Sequence, residues 1–293
     1  MMERIKVLKT YKIFINGKFP RTDSGRYYKL KNNNIDIANV CRSSRKDIKN
    51  AVLAARNAVS GWSNKTAYNR SQVLYRIAEM LEGRKNQFVD ELNLLGISKK
   101  SANVEVEKSI DRIIYFAGWS DKINQVFGAV NPVSTSHFNF TLLEPMGVVA
   151  IIAPENFPLL GIISSIIPII VSGNSVVVIA SEIAPLPAIS LSEVIANSDV
   201  PNGVINILTG KKEELSNPIY SHMDINAVAD FSKDRVNRND KVSGIDNLKR
   251  ITHFENLIFE SDELESPYII KKFMEVKTTW HPIEMGFTSS NNY

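Results

Sequence analysis

The chain has 293 residues, of which 44% are hydrophobic, 23% charged and 9% aromatic, and its formal net charge is +4. This composition is typical of a globular protein with one large domain or two ordinary ones. The charges are interspersed, and no stripe of Lys and Arg carries interleaved aromatic residues, so no nucleic-acid partner is expected. The longest apolar run, 162–171, is too short to span a bilayer, and the N-terminus lacks the apolar core of a secretory signal. We therefore expect a cytoplasmic protein without a membrane partner.

The sequence offers few residues for metal or disulfide chemistry. Cys41 is the only cysteine, so no intrachain disulfide can form, and we interpret it as a small hydrophobic residue without reactivity. The four histidines lie far apart and do not have the spacing of metal ligands. No metal site is predicted.

Two hairpins and three helices are predicted in the first 135 residues. Asn16 and Gly17 lie between apolar residues and form a typical two-residue hairpin turn, because both positions need positive φ. A second hairpin is expected from the extended segments 27–30 and 35–40, which flank three consecutive asparagines. Apolar residues at intervals of three and four then predict amphipathic helices over 44–62, 69–95 and 98–127.

The segment from Glu144 to Gly210 organises the rest of the chain. An alternating strand, 137–144, leads into it. Three short apolar runs then alternate with two segments of helical character, which is the pattern of a parallel βαβαβ unit. The runs are 148–153, 175–180 and 204–208, and the helical segments are 158–171 and 186–197, with Pro168 expected to kink or end the first helix.

Ligands of parallel sheets bind beyond the carboxyl ends of the strands. In this chain those ends carry Pro154-Glu155-Asn156, Ser181-Glu182 and Thr209-Gly210. The sequence therefore predicts that any ligand site lies among these three short segments.

The sequence becomes more polar after Gly210. We expect one more short strand at 225–229, a polar linker over 233–250, further strands at 257–259 and 268–283, and a frayed C-terminal end. The predicted fold is α/β, with a Rossmann-like parallel core, an N-terminal hairpin and helical segment, and a short C-terminal β tail. The predicted domain bounds are 1–135, 136–232 and 233–293.

The motifs in the core closely resemble those of the aldehyde dehydrogenase superfamily, and the resemblance extends over about residues 10–230. The family has Glu-Pro-x-Gly-Val-Val, then a strand ending in Pro-Trp-Asn-Phe-Pro, then Gly-Asn-x-Val-Val-Val-Lys-Pro-Ser-Glu and Pro-x-Gly-Val-x-Asn-x-x-x-Gly. The chain matches them in the same order at 144–149, 154–158, 173–182 and 201–210. Several spaced motifs in one order make the resemblance specific.

The resemblance implies a set of site residues. In the family, the Asn of Asn-Phe-Pro donates a hydrogen bond to the oxyanion that forms when a Cys thiolate attacks an aldehyde, and Asn156 matches it. A Lys and a Glu after the second strand hold the adenosine ribose of NAD or NADP, and Glu182 matches the Glu. The remaining cofactor-binding candidates are Ala153, Pro154, Ser181 and Gly210.

Each candidate also has a structural interpretation. Asn156 and Ser181 are residue types that cap a following helix, and Glu182 fits a solvated acid at a strand end as well as it fits a ribose contact. Gly210 is suited to a turn with a close backbone approach.

The chain departs from the family at several positions. Ile179 replaces the ribose-binding Lys, which argues most against NADP, and Glu155 replaces a bulky apolar residue. The 83 residues after Gly210 contain no Cys, and the Glu-Leu-Gly-Gly segment that carries the family's general base is absent. The nearest match to the family's Phe-Thr-Gly-Ser turn is Asp230-Phe231-Ser232. We therefore expect loss of catalysis. NAD or NADP remains the candidate cofactor, with NADP less favoured, and its binding is expected to be weakened or lost.

Three functions follow as hypotheses. The first is a non-catalytic aldehyde-dehydrogenase-like protein that assembles with itself or with a full-length relative, using strand 137–144 and the tail at 268–283. The second is an NAD(P)-dependent aldehyde oxidoreductase that needs a partner or altered chemistry. The third is a binding module for another nucleotide or an acyl ligand.

Overall fold

A computed structural model describes residues 7–232 and 242–283 of the chain. The strands are β1 (Thr10–Tyr11), β2 (Tyr27–Asn32), β3 (Ile35–Cys41), β4 (Ala129–Asn131), β5 (His137–Pro145), β6 (Val148–Ile152), β7 (Ser175–Ile179), β8 (Ile205–Leu208), β9 (Ala227–Asp230), β10 (Arg250–His253) and β11 (Met274–Pro282). The α-helices are α1 (Arg45–Ser63), α2 (Ala67–Glu82), α3 (Lys85–Leu94), α4 (Lys99–Ala117), α5 (Ile123–Phe127), α6 (Leu160–Ile170), α7 (Leu186–Ile195), α8 (Lys212–Ser221) and α9 (Pro267–Lys271).

The centre of the fold is a five-stranded parallel sheet with the order β10-β9-β6-β7-β8. Its strands are apolar along their whole length because both faces are covered by helices. Val148, Ala150 and Ile152 pack in one cluster with residues of α1 and α8. Val149 and Ile151, which point to the opposite face, pack in a second cluster with residues of α2, α4, α6 and α7. The predicted α/β class and its parallel core are confirmed.

The N-terminal segment is joined to the edge of this sheet. Asn16 and Gly17 have φ of 52° and 72°, as the predicted turn requires, but the antiparallel pairing around them is one bridge between Ile15 and Lys18. The amide of Asn206 in β8 holds the turn, because its Oδ1 accepts from the Asn16 N–H at 3.0 Å. The hairpin of β2 and β3 is confirmed.

Two predicted helices are wrong as single elements. The segment predicted as one helix over 69–95 is divided into α2 and α3 at Gly83, and the segment over 98–127 ends as α4 before Gly118 and resumes as α5. Each glycine follows the last helical residue and closes the helix with a backbone hydrogen bond. The apolar periodicity continues across both breaks, so a pattern of threes and fours does not reveal them.

The C-terminal predictions need three corrections. Residues 257–259 do not form the predicted strand, and the segment 268–283 begins in α9 and becomes extended only from Met274. The sequence also missed β10, which pairs with β9 in parallel. Helix α6 runs two residues beyond Pro168. Residues 233–241 of the predicted linker and the last ten residues lie outside the described ranges.

Strand β11 lies antiparallel to β5 over nine residue pairs, from Met274 opposite Pro145 to Pro282 opposite His137. With β4 they form a separate sheet of order β11-β5-β4. Asn174, in the Gly-Asn motif before β7, ties this sheet to the parallel core. Its Nδ2 donates to the Phe273 carbonyl at 2.8 Å, and its Oδ1 accepts from the Gly147 N–H at 2.9 Å. The proposed domain bounds remain a prediction, although β10 lies beyond the second of them.

Candidate cofactor cleft

The carboxyl ends of β6, β7 and β8 bring the predicted site residues to one edge of the sheet. Ala153 and Pro154 are buried directly after β6, and the Ala153 N–H donates to the Ile179 carbonyl of β7 at 2.9 Å. The Ala180 N–H donates in turn to the Leu208 carbonyl of β8 at 2.9 Å. Parallel register therefore places the loops after these three strands side by side.

The carboxylate of Glu155 lies at the centre of this edge. One oxygen, Oε2, accepts hydrogen bonds from the Ser181 hydroxyl at 2.7 Å, the Glu182 N–H at 2.9 Å and the Ile183 N–H at 3.2 Å. The other oxygen, Oε1, forms an ion pair with Lys212. Burial pushes the pKa of Glu155 upward, but the charge of Lys212 and these hydrogen bonds outweigh it and hold the pKa below its ordinary value. Glu155 is therefore a well-satisfied anion.

Glu182 is also bound within the chain. Its carboxylate pairs with the Lys211 ammonium and accepts from the Lys212 N–H at 3.1 Å, the first residue of α8. Tyr28 of β2 donates its hydroxyl to the Glu182 carbonyl at 3.0 Å. A carboxylate at a helix N-terminus interacts favourably with the helix dipole. Glu182 thus stabilises the start of α8 in this arrangement.

Asn156 has a different environment. Its side chain is half-buried and makes no hydrogen bond to any described residue, and it does not cap α6. Instead, Glu105 of α4 accepts from the Leu159 and Leu160 N–H groups at 2.9 and 3.2 Å. Burial raises the pKa of Glu105 although these two bonds oppose the shift. The amide of Asn156 therefore keeps its donors available to a ligand.

Ser181 and Gly210 have clear local roles. Ser181 is buried, and its hydroxyl oxygen accepts from the Ala184 N–H at 3.0 Å while it donates to Glu155. Gly210 has φ of 154°, and a Cβ built there would lie 3.1 Å from the Ser43 nitrogen and from a methyl carbon of Leu215. These contacts explain the two residues structurally, while their cofactor-binding roles remain predictions.

The polar groups of the segment at the place of the family's Phe-Thr-Gly-Ser turn also find their partners within the chain. Asp230, at the end of β9, is 1% exposed. One of its oxygens lies 3.1 Å from both the Tyr220 hydroxyl and the Nδ1 atom of His253, and the other accepts from the Ser232 N–H at 2.9 Å. Three strand ends thus carry a carboxylate that is bound by other groups of the chain.

The single thiol of the chain is buried. Cys41 is 3% exposed and packs in the cluster beneath α1 and α8. A reactive thiolate needs access to its substrate. Within residues 7–232 and 242–283, no group of three or more His, Cys, Asp or Glu side chains is arranged to hold a metal ion.

Two contacts that the resemblance implies for a dinucleotide are not free at these strand ends. Ile179, at the position of the family's ribose-binding Lys, is fully buried in the cluster that contains α1 and α8 and offers no polar contact. The Glu182 carboxylate, which matches the ribose-binding Glu, is engaged by Lys211 and the start of α8. In this structure, the first of these contacts is missing and the second is made within the chain.

The sequence did not single out several residues that shape the cleft. Lys211 and Lys212 supply its cations, and their place three and four residues after the end of β8 is the one signal that pointed to them. Arg112 of α4 is 1% exposed and binds the C-terminal connection. Its guanidinium donates to the Phe259 and Ser261 carbonyls at 3.3 and 3.2 Å, to Ser164 at 3.0 Å and to Glu265 at 3.3 Å.

Comparison with known proteins agrees with this geometry. The family model described as "Aldehyde dehydrogenase family" matches residues 28–252. Retinal dehydrogenase 2 of Gallus gallus is 33% identical over 272 residues, covering 88% of this chain and 52% of that protein. Aldehyde dehydrogenase 1A1 of Homo sapiens is 34% identical over 250 residues, covering 82% and 49%. The NAD⁺ complex of an aldehyde dehydrogenase from Bacillus cereus superposes with a TM-score of 0.79 at 27% identity, covering 84% of this chain and 51% of that one.

The fold and the strand-end motifs define a protein with a dinucleotide-type α/β core. The chain belongs to the aldehyde dehydrogenase family. It spans about half the length of the curated relatives that it matches. Among the helices of the described ranges, none has the length and apolar character needed to cross a membrane.

Proposed function

We propose that this chain is a non-catalytic member of the aldehyde dehydrogenase family that acts as an assembly subunit. The observation that carries the proposal is the state of its only thiol, because Cys41 is buried and a thiolate is the nucleophile that the family's reaction needs. The proposal includes a cytoplasmic location.

The β11-β5-β4 sheet supports an assembly role. Eight of the nine residues of β11 are exposed, among them Val276 at 63% and Trp280 at 57%. Phe138 and Leu142 of β5 are 45% and 41% exposed. Within the described ranges β11 pairs with β5 alone, so its second edge has no strand partner. An exposed apolar strand edge favours pairing with another chain. We propose a second copy or a full-length aldehyde dehydrogenase as that partner.

Sedimentation of the purified chain tests the assembly role. We expect an oligomer, or a complex after mixing with a full-length aldehyde dehydrogenase, at micromolar concentration. The double variant Val276→Lys/Trp280→Lys places charges on the strand and is expected to shift the chain to monomer. Tyr68→Lys on α2 removes an equally exposed aromatic residue, 68% exposed, and serves as the matched control. A wild-type chain that sediments as monomer both alone and in the mixture contradicts the proposal.

The proposal for the cofactor is weakened or absent binding of NAD and NADP by this chain. Its support is the buried Ile179 and the engagement of Glu182 by Lys211 and Lys212. Calorimetric titration with each dinucleotide tests it, and the expected heat is that of dilution. Saturable binding at micromolar affinity would instead favour the alternative of a working cofactor site.

A further inference from the structure

Four donor groups converge on one point beyond the ends of β6 and β7. They are the Ser181 hydroxyl, the N–H groups of Glu182 and Ile183, and the Lys212 ammonium, and we call them the strand-end nest. Successive backbone N–H groups beside a hydroxyl and an ammonium form an arrangement that binds anions. The Lys212 side chain is 15% exposed and Ser181 is 4% exposed, whereas Ile183 is 65% exposed, so the nest is buried on one side and open to solvent on the other.

The anion that fills the nest belongs to the chain itself. The carboxylate of Glu155 receives all four donors at once, with three of them on one oxygen at 2.7 to 3.2 Å. Lys212 is further fixed by a hydrogen bond to the Ala153 carbonyl at 2.5 Å. Glu182, the other carboxylate of the cleft, is bound separately by Lys211 and the Lys212 N–H, so it does not compete for the nest.

We propose that Glu155 is a tethered anionic ligand of the strand-end nest, and that it determines specificity by excluding the phosphate groups of other ligands from the cleft. The donor set suits a phosphate, whose oxygens accept several N–H and O–H bonds and pair with an ammonium. A side chain attached three residues beyond the end of β6 competes at an effective concentration of about millimolar or above, so a free phosphate does not displace it at ordinary concentrations.

This inference concerns the same cleft as the proposed function and rests on it in taking that cleft as the family's ligand site. It does not depend on the absence of catalysis or on the assembly role. The test below measures phosphate at two backbone amides, so its failure is distinguishable from a failure of the sedimentation or dinucleotide experiments.

The test is a titration of ¹⁵N-labelled protein with inorganic phosphate, followed through the amide signals of Glu182 and Ile183. In the wild type we expect these signals to stay in place. In Glu155→Ala the nest loses its occupant, and the two signals should shift with a phosphate affinity at least tenfold higher than in the wild type. Adding Lys212→Met to this variant should reverse the gain, because the ammonium is then missing.

Glu144→Gln provides a matched control, since Glu144 is an ion-paired glutamate of β5 that contacts Lys277 and lies outside the nest. It should bind phosphate no better than the wild type. Equal phosphate binding in the wild type and Glu155→Ala would overturn the proposal. So would a folded Glu155→Ala protein in which phosphate moves neither amide signal.

Glu155→Gln and a titration of the wild type keep the proposal testable if Glu155→Ala does not fold. The neutral glutamine has the same shape but lacks the charge that pairs with Lys212, so it should show a smaller gain in phosphate affinity of the same sign. Carbon NMR of the Glu155 carboxyl in the wild type should give a pKa below that of ordinary glutamates, and Lys212→Met should raise it. An unchanged pKa in Lys212→Met contradicts the tethered-ligand account.

Discussion

Single residues of the family motifs serve two different purposes in this chain. Asn206 is fully buried, and its amide holds three backbone groups, the Asn16 N–H and the Val176 and Gly203 carbonyls. Asn156 is half-buried, and its side chain bonds to no described residue. The contacts of Asn206 give it a role in the fold, whereas the described contacts give the Asn156 side chain no such role.

This contrast predicts that truncating Asn206 and truncating Asn156 lower the free energy of unfolding by different amounts. Asn206→Ala leaves three buried backbone groups without their partner and should lower the free energy of unfolding by about 2 kcal/mol or more. Asn156→Ala should change it by less than about 0.5 kcal/mol. Urea unfolding of both variants measures the difference. Similar losses in the two variants would mean that Asn156 also supports the fold.

Glu91 predicts a pH dependence of stability. Its Oε1 accepts from Tyr11 at 2.9 Å and Ser190 at 2.7 Å, while Oε2 is buried without a partner. Burial raises the pKa of Glu91, so the folded state favours the protonated form. Its contribution to stability is therefore fully present below the ordinary glutamate pKa of about 4.3 and is lost as the pH rises through the higher folded pKa.

Glu91→Gln removes this titration. The free energy of unfolding of the variant should therefore increase relative to that of the wild type as the pH rises. Unfolding curves from about pH 4 to about pH 8, compared between the two proteins, measure the effect. Exposed Glu144→Gln is the control and should leave the slope unchanged. A pH slope in Glu91→Gln equal to that of the wild type would show that Glu91 is not the group responsible.

At the scale of elements, the connection from β10 to β11 depends on tertiary contacts rather than on its own sequence. Phe254 stacks on Phe231 with ring centroids 4.2 Å apart, and Phe259 contacts Phe157 beside Asn156. Arg112 then binds two carbonyls of the connection from beneath. The connection is thereby fixed across α4 and α6, which allows β11 to reach β5.

Arg112→Met should therefore lower the free energy of unfolding by about 3 kcal/mol, because it removes the donor of the buried Phe259 carbonyl and of Glu265, and one of two donors of the Ser261 carbonyl. Lys108→Met is the matched control. Lys108 binds the neighbouring Glu260 carbonyl and Asp262 from a partly exposed position, and its loss should cost less than about 1 kcal/mol. Hydrogen exchange should show faster exchange at 257–265 in Arg112→Met only. Equal effects of the two variants would contradict the anchoring role.

These elements also explain which parts of the fold the sequence predicts. The runs of Val and Ile in β6, β7 and β8 are diagnostic because helices cover both faces of the sheet, so local composition reflects the burial directly. Strand β10 is half-buried at the sheet edge and has no such composition. The pairing of Glu155 with Lys212 and of Glu182 with Lys211 joins residues that are distant in sequence, and no local pattern encodes it.

At the scale of the whole molecule, the fold of an aldehyde dehydrogenase half is combined with a cleft whose polar groups are bound to one another. The carboxylates of Glu155, Glu182 and Asp230 each accept from donors of the same chain. The only thiol is buried away from solvent. The outer sheet, in contrast, has a long exposed edge strand, β11, that carries the apolar side chains of Val276 and Trp280. The polar groups of the cleft are thus hydrogen-bonded within the chain, whereas the edge of the outer sheet is free to contact another chain.

The formation of NADH by the purified 293-residue chain, supplied with NAD⁺ and a panel of aldehydes, tests this account most directly. The account predicts no aldehyde-dependent absorbance of NADH above the background, and the same result for Asn156→Ala and Cys41→Ser. Sustained NADH formation by the wild type that is abolished in Asn156→Ala or in Cys41→Ser would contradict it, because that outcome requires a cleft and a nucleophile that work together.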